Sequence, residues 1–219
     1  MSEADIKRLI ERRGIQSVLH FTTNRGSLGI FASKALKSRL LLNSDDQLEH
    51  IFTPNALYRS RDAKWLNYVN LSISQINTNF FQVAENNWHR EKGFFWCIFD
   101  FDPVILTHSG VVFSTTNNIY SDVVRGEGGV GLEATFAPFI SHWNTTSSSS
   151  VIRPDGYPDC LPTCRQAEVL YPNEVSTEFV KRIYVRNESE VDELMGQMAI
   201  ASHPDIPIKV APELFVGIK

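Results

Sequence analysis

One carboxylate in this sequence lies where a carboxylate is costly. Glu168 interrupts an apolar segment, residues 167–170, that otherwise has the composition of a buried β-strand. A carboxylate in such a place must be paired, face water, or be held for chemistry. A strand residue that faces solvent explains the same pattern about equally well, so the segment alone leaves both roles open for Glu168.

Potential partners for Glu168 lie far away along the chain. His20 lies in a β-like segment, residues 18–22, where a lone histidine is more often a satisfied core residue than a ligand-binding one. Arg59 and Arg61 precede a segment of alternating apolar and polar residues, and arginines in such loops are usually surface residues. These side chains can act together only if the fold brings an imidazole, a guanidinium and the carboxylate to one cleft.

Other common kinds of site are not supported by the spacing of residues. Cys160 and Cys164 have no matching second pair, and His142 and His203 follow no metal-ligand spacing. The glycine-rich run at 126–131 lacks the flanking elements of a dinucleotide fingerprint, and the sequence contains neither a nucleophile elbow nor a phosphate-binding loop. We therefore expect no metal site.

Length and composition favour one packed domain over residues 1–219. The chain has 219 residues, of which 42% are hydrophobic, which is enough to fill a core. The longest strongly apolar run, residues 93–99, is far shorter than the roughly 20 residues that span a bilayer, and the acidic start resembles no secretory signal. Three cysteines are too few for a disulfide framework. We expect a soluble, cytoplasmic protein with no membrane partner.

The net charge of −4 argues against non-specific nucleic-acid binding. It does not exclude a local basic groove, because the first third of the chain is richer in cations, Lys34, Lys37, Arg39, Arg59 and Arg61 among them.

The pattern of apolar residues predicts an α+β protein with helices early and late and strands in between. Residues 114–163 differ, because they contain a glycine-rich run and four consecutive serines, and we expect a long functional loop there. The predicted helices are 5–13, one following Gly26-Ser27, 45–52 and 189–201, and the predicted strands are 18–22, 68–74, 94–99, 104–106, 111–113, 167–171, 182–185 and 208–210.

Taken in order, these segments resemble the DarT ADP-ribosyltransferases. The resemblance extends over nearly the whole chain and is strongest at 165–170, which is similar to the family's catalytic glutamate strand. The other matching segments are 19–23 with 35–36 (the opening motif), 59–62 with 69–74 (the arginine motif and the strand after it), and the tail at 208–210 and 212–215.

The resemblance implies an ADP-ribosyltransferase-like fold, a split mixed β core with flanking helices and a cleft for NAD as co-substrate. It implies transfer of ADP-ribose onto a base of single-stranded DNA, with release of nicotinamide and no metal. It also implies a toxin of a toxin-antitoxin or anti-phage system, neutralised by a cognate antitoxin protein.

The resemblance also implies roles for single residues. Glu168 is the catalytic carboxylate, which stabilises an oxocarbenium-like transition state, and Arg61 holds the pyrophosphate and helps to remove the acceptor's proton. Arg59 competes with Arg61 for the same motif position. The other residues assigned to NAD are His20, Phe21, Thr22, Ser27 and Ser72.

An acceptor base must leave its stack to reach such a cleft, which favours single strands. We therefore expect the variable region 114–163, just before Glu168, to read the substrate, although a disordered serine-rich insertion at 144–152 is an alternative. The residues assigned to nucleic-acid binding are Arg59, Asn117, Asn118, Tyr120, Arg125, Arg153 and Tyr157.

Three other functions fit the same sequence. The acceptor could be RNA or a protein side chain, since the NAD chemistry is the same. The chain could also bind NAD or nucleic acid without catalysis, or be an α+β interaction protein without an NAD site. Incubation with labelled NAD and different acceptors distinguishes them.

Overall fold

The computed structural model describes residues 3–42, 63–87, 93–144 and 147–216, with backbone alone at 63, 142–144 and 147–149. Arg59, Arg61 and the predicted helix at 45–52 lie outside the described residues, so these predictions stay untested.

The described residues form twelve strands and six α-helices. The strands are β1 (Val18–Thr23), β2 (Ala35–Lys37), β3 (Tyr68–Ile73), β4 (Trp96–Phe101), β5 (Val112–Ser114), β6 (Arg125–Glu127), β7 (Phe139–Asn144), β8 (Ser147–Ile152), β9 (Glu168–Pro172), β10 (Glu174–Ser176), β11 (Val180–Val185) and β12 (Ile208–Val210). The helices are α1 (Glu3–Arg13), α2 (Asn24–Ser33), α3 (Arg39–Leu42), α4 (Thr78–Asn87), α5 (Gly128–Ala134) and α6 (Glu188–Ile200), and short 3₁₀ helices cover Ala63–Trp65, Pro103–Thr107, Thr177–Phe179 and Pro212–Phe215.

Eight strands form one mixed sheet in the order β12-β11-β4-β1-β3-β9-β5-β6. The β11–β12 pair is parallel and the other pairs are antiparallel. The β2–β10 and β7–β8 pairs form two separate ladders. The sheet and its flanking helices confirm the predicted α+β class.

Both faces of the central strand β4 are buried, because helices cover the sheet on either side. Phe99 and Phe101 belong to the larger core cluster, which also contains apolar residues of α1, α2 and α6. The alternate residues Trp96 and Ile98 belong to a second cluster with Phe81 of α4. This alternation is the period-2 pattern of a strand buried on both faces, and it explains the aromatic density seen in the sequence.

Most predicted elements are confirmed to within a few residues, including α1, which Gly14 ends with a positive φ of 62°. The predicted strand at 104–106 is wrong. These residues lie in the 3₁₀ helix Pro103–Thr107, where the side chain of Asp102 accepts a hydrogen bond of 2.8 Å from the Val104 amide. The cap and the fixed φ of Pro103 favour a helical turn over the β propensity of the apolar residues.

Region 114–163 is more regular than the sequence predicted, since it contains β6, α5, β7 and β8. The serine run lies in β8, which pairs with β7 along its whole length. Strand formation there depends on pairing with β7, which the composition of a serine run does not reveal because β propensity depends on context.

The glycine-rich run serves the packing of α5 on β6. A Cβ atom at Gly131 would lie 2.1 Å from the carbonyl oxygen of Gly126. Only glycine permits so close an approach of helix and strand, so the run has a structural explanation.

Candidate active site

The cleft opens where two neighbouring strands part. Strand β1 pairs with β4 over six residues, but it pairs with β3 only at Val18 and Leu19. Beyond Leu19 a cleft of about 450 Å³ is lined by residues of both strands, a volume in the usual range for small-molecule sites. Polar residues of β1 and β3 that would otherwise pair in a hydrogen-bond ladder therefore line a cavity of ligand size.

His20 lies at this split. Its Nδ1 atom is 3.0 Å from the carbonyl oxygen of Asn70 in β3. Because a carbonyl can only accept, Nδ1 must carry the proton and donate it. Burial lowers the pKa of His20, and the hydrogen bond to Asn70 opposes this in part. The imidazole is thus neutral near pH 7, and its Nε2 is available as an acceptor.

Glu168 lines the same cleft from the neighbouring strand β9. It is the first residue of β9 and lies opposite Ser114 of β5. The side chain is half-buried, and its Oε2 atom accepts a hydrogen bond of 2.9 Å from the backbone amide of Asn118. The carboxylate is therefore held by the protein at the cleft rather than turned out on a solvated face.

The other residues assigned to NAD divide into two groups. Phe21, Thr22 and Ser72 line the cleft. Ser27 is fully buried at the contact between α2 and α6, where its hydroxyl lies 2.7 Å from both the Asn24 carbonyl and Oε1 of Gln197. The structure thus places Ser27 in an internal contact and not among the residues that line the cleft.

Aromatic residues other than Phe21 also line the cleft, and none of them was predicted from the sequence. Phe80 and Trp96 lie beside Phe21, with ring centroids 5.9 Å and 5.8 Å from that of Phe21. Trp65 and Tyr68 also line the cleft, and their ring centroids are 5.2 Å apart. Such rings can stack on planar heterocycles. Aromatic residues are also common in cores, so the sequence carried no signal that would separate these rings from core residues.

Lys37 and Arg39 also line the cleft, together with the buried Ser38. Both cations were part of the basic first third of the chain, which was the available signal. No specific role was predicted for either cation, because cations in short connections are usually solvated.

The residues assigned to nucleic-acid binding separate spatially. Asn117 and Asn118 line the cleft, and Arg125 lies next to them, bonded to Asn118. The guanidinium of Arg153 instead donates to the backbone carbonyls of Leu161 and Pro158, both at 2.8 Å.

Tyr157 and Tyr120 take different positions. Tyr157 lies under the guanidinium of Arg153, whose Cζ is 5.1 Å from the ring centroid, and neither residue lines the cleft. Tyr120 follows the cleft residues Asn117 and Asn118, and burial raises the pKa of its hydroxyl.

Among the described residues, no group of three or more histidine, cysteine, aspartate or glutamate side chains is placed to hold a metal ion. In the same residues, no helix is both long enough and apolar enough to cross a membrane.

A split mixed sheet with a carboxylate and a neutral imidazole on one cleft is the arrangement expected of an ADP-ribosyltransferase. Residues 19–216 match the family model described as "DarT: ssDNA thymidine ADP-ribosyltransferase, DarT". The chain therefore belongs to the DarT family and is an NAD-dependent ADP-ribosyltransferase whose acceptor class is single-stranded DNA.

Solved structures with the same fold agree with this family. DarT from Thermus sp. 2.9 in complex with NAD+ is 12% identical, with a TM-score of 0.59 over 91% of this chain and 97% of that chain. The same protein in complex with ADP-ribosylated ssDNA is also 12% identical, with a TM-score of 0.59 over 92% and 97%. Thermosipho africanus DarTG in complex with ADP-ribose is 13% identical, with a TM-score of 0.60 over 91% of this chain and 51% of that chain. No curated protein matches the sequence.

Proposed function

We propose that the cleft between β1 and β3 binds NAD+ and that Glu168 is the catalytic carboxylate for transfer of ADP-ribose to thymidine in single-stranded DNA. The observation that carries the proposal is that Glu168 and His20 line one cavity although they are 148 residues apart in the chain. The family description and the DNA-bound Thermus structure support the acceptor.

The proposed roles follow from the state of each side chain. Bound NAD+ supplies a ribose whose bond to nicotinamide breaks while positive charge develops on the sugar, and nicotinamide leaves as a neutral molecule with the bonding electron pair. A carboxylate held beside that sugar stabilises the developing charge, which is the role of Glu168. Neutral His20 offers Nε2 as an acceptor for a ribose hydroxyl. The acceptor nitrogen loses a proton to solvent as it bonds to the ribose carbon. Arg61 keeps its predicted part in that proton's removal by stabilising the base as it loses the proton, since a guanidinium stays protonated and cannot itself accept one.

Binding of the diphosphate needs a cation. Lys37 and Arg39 line the cleft, and Arg61, for which the resemblance implies this role, lies outside the described residues. We therefore propose Arg39 and Lys37 as additional diphosphate contacts beside Arg61. An arginine can hold two phosphate oxygens at once in a fixed geometry.

A toxin role with a cognate antitoxin is the biological context that we propose. It is supported by the likeness to Thermosipho africanus DarTG, of whose chain this protein covers about half (51%). A cytoplasmic location and a part in anti-phage defence remain predictions from the family resemblance.

Reaction with labelled NAD+ tests the function. We expect label on a thymidine-containing single-stranded oligonucleotide, and none on the same sequence with thymidine replaced or on its duplex. Nucleoside mass spectrometry identifies the modified base. Preferential labelling of RNA or of lysate protein would instead support the alternative acceptors, and NAD+ binding without transfer would support a binding module. Glu168→Gln is the matched inactive control.

A further inference from the structure

We infer that Arg125 is a positioning residue that fixes the catalytic carboxylate by clamping the segment that holds it; this rests on the role proposed above for Glu168. Arg125 was predicted from the sequence to bind nucleic acid. The structure shows its guanidinium used inside the protein, at the loop that hydrogen-bonds Glu168.

The clamp consists of two bonds to a single residue. Nε of Arg125 donates to Oδ1 of Asn118, and Nη2 donates to the backbone carbonyl of Asn118, both at 2.5 Å. The amide of the same Asn118 donates to Glu168 at 2.9 Å. A bidentate guanidinium fixes orientation as well as distance, so Arg125 sets the position of the N–H group that holds the carboxylate.

Strand register explains why these groups meet. Arg125 of β6 and Glu168 of β9 both lie opposite Ser114 of β5. Residues opposite each other in antiparallel strands share a face, but two strand spacings separate the two backbones by about 10 Å. Asn118 bridges this separation, because it accepts from the cation and its amide donates to the carboxylate. The Ser114 hydroxyl adds a 3.4 Å contact to Oδ1 of Asn118.

The same guanidinium also contacts a wall of the cleft. Its Cζ lies 5.1 Å from the ring centroid of Trp65, and Trp65 lines the cavity. A cation over an aromatic face is an attractive contact. Arg125 thus connects the edge strand, the Asn118 segment and an aromatic wall of the cavity.

Steady-state kinetics with NAD+ and an oligonucleotide test the inference. We expect Arg125→Ala to lower kcat by about 10- to 100-fold, since displacing a catalytic group by an ångström has effects of that size. The KM for the oligonucleotide and its dependence on salt should stay close to wild type. Arg125→Lys should not restore kcat, because an ammonium cannot reproduce the two in-plane bonds.

A double-mutant cycle tests whether Arg125 acts through Asn118. Asn118→Ala removes the Oδ1 half of the clamp and leaves the backbone carbonyl that Nη2 also binds. If Arg125 acts through Asn118, Arg125→Ala should therefore lower kcat by a smaller factor in the Asn118→Ala background than in the wild-type protein, because coupled residues are non-additive. Arg8→Ala, which removes an exposed arginine of α1, is the matched control and should keep wild-type rates. If Arg125→Ala melts early, Arg125→Lys and Arg125→Gln at a temperature where they stay folded provide the same comparison.

Three outcomes would overturn the inference. They are a wild-type kcat for Arg125→Ala, full additivity in the cycle, or a raised KM with a weaker salt dependence that Arg125→Lys restores, which would show a direct phosphate contact. Failure of the proposed function looks different, because Glu168→Gln would then keep wild-type turnover whatever Arg125 does.

Discussion

The imidazole of His20 takes the place of a ladder bond that the sheet does not form. Strands β1 and β3 stop pairing after Leu19, and Nδ1 of His20 donates to the carbonyl of Asn70 across the gap at 3.0 Å. The side chain thus satisfies a backbone acceptor that the split would leave open. It also fixes the tautomer that presents Nε2 as an acceptor.

Acidification should destabilise the folded protein through His20, which is neutral in the folded state. The folded protein holds the pKa of His20 below its ordinary value of 6.5, whereas the unfolded chain takes up a proton near that value. The unfolding free energy that depends on neutral His20 is therefore present above about pH 6.5 and is lost as the pH falls below it. We expect the wild-type Tm to fall more than that of His20→Gln between about pH 7.5 and pH 5. Equal slopes in a thermal melt series would contradict a lowered pKa.

Replacing the proposed catalytic carboxylate by its amide should remove activity and preserve the fold. Glu168→Gln retains an oxygen that can accept a hydrogen bond from the Asn118 amide but loses the charge that we propose stabilises the transition state. We expect kcat to fall by at least about 100-fold, with a Tm within about 2 °C of wild type. The measurement is transfer of labelled ADP-ribose next to a melting curve. A folded variant with wild-type transfer would remove Glu168 from the chemistry.

Ser27 should contribute to stability rather than to NAD binding. Its buried hydroxyl lies between the Asn24 carbonyl and Oε1 of Gln197, so Ser27→Ala removes the one O–H donor that these two acceptors share and costs about 1 kcal/mol in unfolding free energy. The KM for NAD+ should not change. Ser72→Ala is the comparison, because Ser72 lines the cleft. A rise in KM for Ser27→Ala alone would return Ser27 to the cofactor site.

Arg153 should hold a surface segment together rather than bind DNA. Its guanidinium satisfies the carbonyls of Pro158 and Leu161 and stacks on Tyr157. We expect Arg153→Ala to lower the Tm and to speed limited proteolysis within 154–163, because the carbonyls lose their donor. Oligonucleotide binding should keep its salt dependence. A smaller salt slope without a change in Tm would indicate a phosphate contact instead.

The two arginines outside the described residues can be ranked by mutation. Because the family resemblance assigns the diphosphate and the acceptor's proton to Arg61, Arg61→Ala should lose more transfer activity than Arg59→Ala. The KM for NAD+ should rise for Arg61→Ala, since an anion contact is lost. Transfer of ADP-ribose from labelled NAD+ measures both losses of activity. A larger loss for Arg59→Ala would assign the motif position to Arg59.

Local sequence patterns were sufficient to predict the elements whose own residues have the periodicity of that element. The apolar stripe of α1, the alternation in β3 and the aromatic strand β4 could be predicted because their periodicity is a property of neighbouring residues. The prediction of a strand at 104–106 was wrong because a cap at Asp102 and a proline favour a helical turn. Strand β8 was not predicted, because its stability comes from pairing with β7.

Residue types and their order along the chain were enough to identify two chemical groups of the candidate site, Glu168 in one apolar strand and His20 in another. Which groups meet is a property of the folded chain. Whether Arg125 contacts DNA or Asn118, and whether Ser27 lines the cleft or packs on α6, depends on strand register and helix packing between residues far apart in sequence. Such contacts join residues that are distant in sequence, and the periodicity of neighbouring residues does not predict them.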